Sequence, residues 1–379
     1  MTERVYLDWN ATTPLRIEAR QAMVAALDLA GNPSSVHLEG RAARRLVEEA
    51  RQRVAQAIGA SERNVIFTSG GTEANAFALQ PDLVGRDAKP LRRLVVSAIE
   101  HVSVLSGGRF ARGAIELAPV TPDGAVDLNG LRAMLVGKPP ALVSIMLANN
   151  ETGVIQPVRP AADIVHEVGG LLHVDAVQGL GKIGIDIGAL GADIISLSAH
   201  KLGGPKGVGA IVLSDELQTV APLIRGGGQE RNRRAGTENV AAIAGFGAAV
   251  TAAQAALAGE MERLSLLRDR LEAGLAAQAN VTIFGVRSQR LPNTTLFAAP
   301  GMRAETAVIA FDLEGIAVSS GSACSSGKVT PSHVLKAMGA PLEITQGAIR
   351  LSTGYLTSEP DIQRSVEAWR KLSGVLGKR

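Results

Sequence analysis

The feature that most restricts the fold is a series of near-continuous apolar runs, each closed by polar residues. The run at 94–98 leads to Glu100-His101, that at 142–147 to Asn149-Asn150, that at 171–174 to Asp175 and Gln178, and that at 194–198 to His200-Lys201; a further run covers 210–214. Strands apolar along their whole length, alternating with helical segments, are buried on both faces and pair mainly in parallel. In such sheets ligands gather outside the carboxyl ends of the strands. His101, Asn150, Asp175, Gln178, His200 and Lys201 all fall at that edge. The predicted fold class is α/β.

The lysine carries the most chemistry. Lys201 ends a buried run, and Gly203-Gly204-Pro205-Lys206-Gly207 then lets backbone pass close to something bulky. Apolar walls and the neighbouring His200 would lower its amine pKa and make it a nucleophile, which suits Schiff-base chemistry; a surface lysine after a strand is the plain alternative. The short strand at 65–68 runs into Ser69-Gly70-Gly71-Thr72-Glu73, which opens a helix. Free amides and the positive dipole end make such a start an anion site, and an ordinary N-cap reads the same way. Rival motifs fit poorly. Gly203 to Gly209 lacks the dinucleotide spacing, and between Gly321 and Gly327-Lys328 one residue too many intervenes for a phosphate loop, with Val329 following. His173, Asp175 and His200 could be imagined around a metal, but Asp175 has the better role described below.

Composition sets the frame. With 379 residues, 46% of them hydrophobic and 20% charged, the chain has room for two domains and a sizeable core. A net charge of +3 and 3% aromatic residues argue against a nucleic-acid partner. The start, Met-Thr-Glu-Arg-Val-Tyr, has no apolar leader core, and a cytoplasmic location is the expectation. Residues 15–29 and 41–58 are expected to be helical, 239–280 to form two alanine-rich helical stretches, and 359–375 a last helix. Short strands around 281–284, 294–297 and 349–352 point to a second, smaller α/β domain. The loop 225–238 is basic and glycine-rich: an exposed charged loop, an RNA contact, or a source of anion-binding groups for another subunit.

Cys324 is the one cysteine, so a disulfide within the chain and a multi-thiolate zinc site are both ruled out. A core cysteine needs apolar neighbours, whereas residues 319–327 contain only Ser, Gly, Ala and Cys. With Lys328 nearby to favour the thiolate, Cys324 is expected on an accessible loop as a nucleophile.

These motifs together resemble the cysteine desulfurases of the class V aminotransferase group, in the form of their NifS/IscS-type branch. The likeness runs from Tyr6-Leu7-Asp8 to Arg350-Leu351-Ser352, through Ala11-Thr12-Thr13-Pro14, Asn32-Pro33-Ser34-Ser35, Ser69-Gly70-Gly71-Thr72-Glu73, Asn149-Asn150-Glu151-Thr152-Gly153, His173-Val174-Asp175-Ala176-Val177-Gln178, Ser198-Ala199-His200-Lys201 and Ser319-Ser320-Gly321-Ser322-Ala323-Cys324. The resemblance implies a pyridoxal 5′-phosphate (PLP) enzyme of transferase fold type I. Its large domain, 15–258, would hold a mostly parallel seven-stranded sheet; residues 1–14 and 259–379 would form the smaller domain with the cysteine loop. It implies that Lys201 holds PLP and moves the substrate's α-proton. Asp175 would pair with the ring nitrogen, Gln178 with the phenolic oxygen, and His101 would stack on the ring as an acid/base group with Asn150 beside it. Gly71, Thr72, Ser198 and His200 would bind the phosphate, joined by Thr237 from the other subunit of a homodimer. Arg350 would clamp the carboxylate of L-cysteine, with Asn150 and Asn32 also at the substrate. Cys324 would take the sulfur as a persulfide, leaving alanine, and pass it to an acceptor such as an iron–sulfur scaffold. No resident metal is implied, although Cys324 would touch an iron–sulfur cluster in passage. A plain aminotransferase would need no thiol; a selenocysteine lyase on the same site, and a silent homologue acting as a binding partner, are the remaining alternatives.

Overall fold

The computed structural model describes residues 4–85, 89–217, 221–277, 280–321 and 331–376. Runs such as Ala141–Met146 and Ile194–Ser198 are buried at every position, as strands covered on both faces must be. Seven strands make the large sheet, in the order Val65–Thr68, Gly209–Leu213, Ile194–Ser198, Leu171–Asp175, Ala141–Met146, Arg93–Ser97, Ile115–Ala118. Alternate residues of each strand serve opposite faces. Val95, Val143 and Ile195 pack with Val54 and Phe246 on one side, and Leu94, Leu142 and Ile194 with Phe77 and Phe110 on the other.

Every neighbouring pair is parallel except those made by Gly209–Leu213, which runs against both its neighbours. The connection 199–208 that feeds it is shorter than the dozen or more residues a parallel crossover requires. The edge strand Ile115–Ala118 was not anticipated; its Ile-Glu-Leu-Ala stretch is only partly buried.

The smaller sheet is antiparallel throughout, in the order Ser319–Ser320, Ile349–Ser352, Thr294–Ala298, Thr282–Ile283. Its core holds Leu296, Phe311 and Leu351, with Trp369 edge-on to Phe297 at 5.0 Å. Val5–Tyr6 pairs in parallel with Ile316–Ala317, so the start of the chain is tied to this smaller unit. Trp9, to which the sequence attached no role, is buried against Gly354, where an added Cβ would lie 2.0 Å from the indole Cε3.

Residues 240–276 correct one expectation. In place of two helical stretches there is one helix, Val240–Ala276. Gly259 weakens a helix by about 1 kcal/mol relative to alanine, but without a proline nothing interrupts the hydrogen-bond ladder. Ala242, Phe246, Val250 and Ala253 of this helix lie in the core of the large sheet, and Leu264, Leu267, Leu271 and Leu275 in that of the small one. Its length and composition pass for a membrane span, but half of its apolar window is buried inside the protein.

Candidate active site

At the carboxyl ends of the large sheet's strands lies a cavity of about 340 Å³. Gly71, Thr72, His101, Asn150, Asp175, Gln178, Ser198, His200, Lys201 and Arg350 all line it. Thr237 and Asn32 do not: both are exposed, and the Asn32 carboxamide accepts from Ser34 N within its own turn at 2.9 Å. Cys324 and Lys328 lie outside the described residues.

Each strand end delivers its group through a short turn with its own internal bonds. Asp175 accepts from Val177 N at 3.0 Å and, through Oδ2, from Asn75 Nδ2 at 2.8 Å. Asn75 sits one turn into the helix Gly71–Ala78 and also donates to Ser103 Oγ at 2.9 Å. Ser103 Oγ lies 2.7 Å from His101 Nδ1, which also accepts from Ser103 N at 3.2 Å. Since the backbone amide donates to Nδ1, the hydroxyl donates there too and the neutral ring carries its proton on Nε2. Burial pulls the His101 pKa below its ordinary value, against the pull of Asp175. Asn150 is presented by a turn in which Asn149 Oδ1 accepts from Glu151 N and Thr152 N, both at 2.9 Å.

The helix start is shaped to admit an anion. A Cβ at Gly71 would lie 2.8 Å from Val177 Cγ2, so only glycine lets this end close on the strand-end turn. The unpaired amides of the first turn, with Thr72 and Ser198 beside them, face the cavity.

Lys201 Nζ donates to the carbonyls of Asn10 at 2.6 Å and Ala11 at 2.8 Å. The expected electrostatic help from His200 is absent. Burial, with Lys201, Lys206 and Lys182 nearby, pushes His200 down to about 4, so it is uncharged at neutral pH and brings no positive charge to Lys201. His173 belongs to the sheet interior, bonded to Ser144 and Ser196 at 2.8 and 2.9 Å, and burial pushes it down to about 3. Glu100, beneath the cavity, accepts from Ser97 Oγ at 2.6 Å and Met146 N at 2.7 Å; burial pushes it up to about 8.

Arg350 closes the far side. Nη1 donates to Asn150 O at 2.9 Å and Nη2 to Asp8 Oδ1 at 2.7 Å, while the buried Nε has no hydrogen-bond partner among the described residues. A buried donor without a partner costs stability. Sequence reasoning missed Asn10, Asn75, Ser103 and Lys182. For Asn75 the signal was available: it lies one helical turn beyond Gly71-Thr72, on the same face.

An amine at a strand end, a buried carboxylate and an anion-binding helix start suit a phosphorylated aldehyde cofactor, and the Arg350 guanidinium at the cavity suits a carboxylate. This is the equipment of a cofactor-dependent α/β enzyme acting on amino acids. The family model for aminotransferase class-V matches residues 5–364, and the chain belongs to that family. It is 42% identical to "Cysteine desulfurase IscS" of Dictyoglomus turgidum over 98% of this chain and 95% of that protein. It is 45% identical to a "Cysteine desulfurase" of Cereibacter sphaeroides over 96% of this chain and 94% of the other. Among solved structures, a NifS-like protein from Rickettsia africae superposes with a TM-score of 0.89 at 36% identity, covering 98% of this chain and all of that one. The cofactor is PLP, and the cavity residues fit it.

Proposed function

We propose that the protein is a cysteine desulfurase, taking sulfur from L-cysteine as a persulfide on Cys324 and releasing L-alanine. The observation that carries the reading is the meeting of Lys201, Asp175, His101 and the guanidinium of Arg350 around one cavity. PLP, when bound, supplies an electron-withdrawing ring that weakens the substrate's Cα–H and Cβ–S bonds. Lys201 would hold it covalently, Asp175 its ring nitrogen, Gln178 its phenolic oxygen, and Gly71, Thr72, Ser198 and His200 its phosphate.

Arg350, held by Asn150 O and Asp8, would orient the substrate carboxylate with its guanidinium. Lys201 Nζ would receive the substrate's α-proton. His101, neutral and with its proton on Nε2, is equipped to pass a proton to or from substrate. The Cys324 thiolate attacks the substrate sulfur, so a sulfur–sulfur bond forms as the Cβ–S bond breaks. The electron pair of the broken bond stays with carbon, which takes a proton to become the methyl group of alanine. Sulfur is oxidised and carbon reduced within one step, with no outside oxidant.

The functional unit is a cytoplasmic homodimer in which Thr237 reaches the partner's cofactor phosphate and Asn32 serves the partner's substrate site. Support comes from the exposure of both residues and of Ile17, Val24, Leu27, Val36 and Leu38 near the start of the chain. The sulfur passes to an acceptor protein, an iron–sulfur scaffold being the leading candidate. The test is alanine formation from L-cysteine with a thiol reductant, comparing wild type with Cys324→Ser. Alanine from the wild type alone supports the reading. Equal alanine from both leaves the PLP site standing and removes Cys324 as nucleophile, and none from either sinks the activity.

A further inference from the structure

Lys182 is a second lysine at this site, set four residues beyond Gln178 and buried. Its Nζ donates to Gln178 Oε1 at 2.6 Å and to Asn10 Oδ1 at 2.8 Å. A carboxamide has one accepting and one donating end. With Lys182 on Oε1, the Gln178 nitrogen is turned the other way, and it donates to Asn10 O at 3.0 Å. Asn10 cannot relax to release this arrangement. Its Oδ1 also accepts from Asn293 Nδ2 at 3.1 Å, and its Nδ2 donates to Thr294 Oγ1 at 2.9 Å and Asn150 O at 3.2 Å. Two acceptors match the two N–H bonds of a neutral amine. Burial, reinforced by Lys201 and Arg350, holds Lys182 well below the ordinary lysine value.

We propose that Lys182 is a positioning residue that locks the Gln178 carboxamide with its NH2 end toward the cofactor's phenolic oxygen. The proposal rests on the reading of Gln178 given above. A donor on that oxygen stabilises its negative charge and makes the cofactor–lysine linkage easier to deprotonate. An amide free to flip would no longer be held with its donor toward that oxygen, and the effect would weaken.

The experiment is a pH titration of the visible absorbance of the PLP-loaded enzyme without substrate, in wild type, Lys182→Met, Lys182→Gln, Gln178→Ala and the double variants. Asp175, His101, His200, Lys201 and Arg350 also face the cavity and are unchanged in every variant. Lys182→Met should raise the midpoint by about one pH unit, and Gln178→Ala by at least as much. In the Gln178→Ala background, Lys182→Met should add nothing, because both changes remove the same interaction. Lys182→Gln keeps a donor and should move the midpoint less. Where Lys182→Met does not fold, Lys182→Gln alone and with Gln178→Ala decides by the same criterion. A shift in Gln178→Ala without one in the Lys182 variants overturns the proposal and leaves the role of Gln178 standing. Additive shifts would mean that Lys182 acts through its own charge and would also overturn it. No shift in Gln178→Ala removes both readings.

Discussion

Two arginines of nearly equal burial, Arg51 at 4% exposed and Arg350 at 3%, do opposite work. Arg51 is saturated. Nη1 and Nη2 donate to the Glu230 carboxylate at 2.7 and 3.0 Å, Nη1 also to Val65 O at 2.8 Å, and Nε to Glu48 at 3.1 Å. Its guanidinium lies 4.9 Å from the centre of the Phe67 ring. The pair anchors the basic loop exactly where its backbone is strained: Glu230, Arg231 and Asn232 take φ values of 47°, 56° and 64°, a left-handed run that non-glycine residues seldom adopt. Arg350, by contrast, lines the cavity, with Nη1 and Nη2 each held by one partner and none for Nε among the described residues. Burial alone does not tell a strut from a receptor. A place on the cavity wall does.

The comparison can be broken at either end. The largest effect expected is on Arg51→Met, which leaves Glu230 buried without its partner and should cost about 3–5 kcal/mol in denaturant unfolding. Pairing it with Glu230→Leu should return most of that loss; a cost below about 1 kcal/mol for Arg51→Met alone would show that the saturated pair is not holding the loop. Next comes Arg350→Lys, which keeps the charge and loses the planar fork. Its kcat/KM for L-cysteine should fall about 100-fold, roughly 2.7 kcal/mol, with little change in unfolding. If it unfolds as readily as Arg51→Met, the two arginines are both struts.

A third prediction, confined to one pH window, concerns Glu151, which neighbours Arg350 and accepts from Ser332 Oγ at 2.5 Å. Burial pushes it up to about 7, against the pull of Ser332 and Arg350. The folded state therefore holds more protons than the unfolded one between the ordinary glutamate value and about 7, and this contribution to stability falls as pH rises through that window. Glu151→Gln should remove a fall on the order of 3 kcal/mol from the wild-type pH profile. Identical slopes in the two proteins would count against a proton held at Glu151.

The part of this architecture legible from the chain is the part written locally. Apolar runs ending in His101, Asn150, Asp175 and His200-Lys201 announce both the sheet and the edge where the cavity lies. Asn10 was illegible because its partners Lys182, Thr294 and Asn150 are brought to it by tertiary folding, across 172, 284 and 140 residues. Lys182 was missed for a related reason. A lysine in a glycine-containing turn reads as solvated until the Gln178 and Asn10 oxygens are seen to enclose it. The Nε of Arg350, without a partner among the described residues, has no sequence signature at all, since an unmet donor is defined by what fails to approach it.

The helix Val240–Ala276 carries a consequence for how such chains diversify. Its two halves are seated in different cores, and none of its core residues lies between Ala253 and Leu264, so a crossover there would take no residue from either core. Recombination between relatives at that point could exchange the smaller unit only together with the first residues of the chain, which pair with Ile316–Ala317. The smaller unit is therefore assembled from both ends of the chain, and a single crossover cannot exchange it whole.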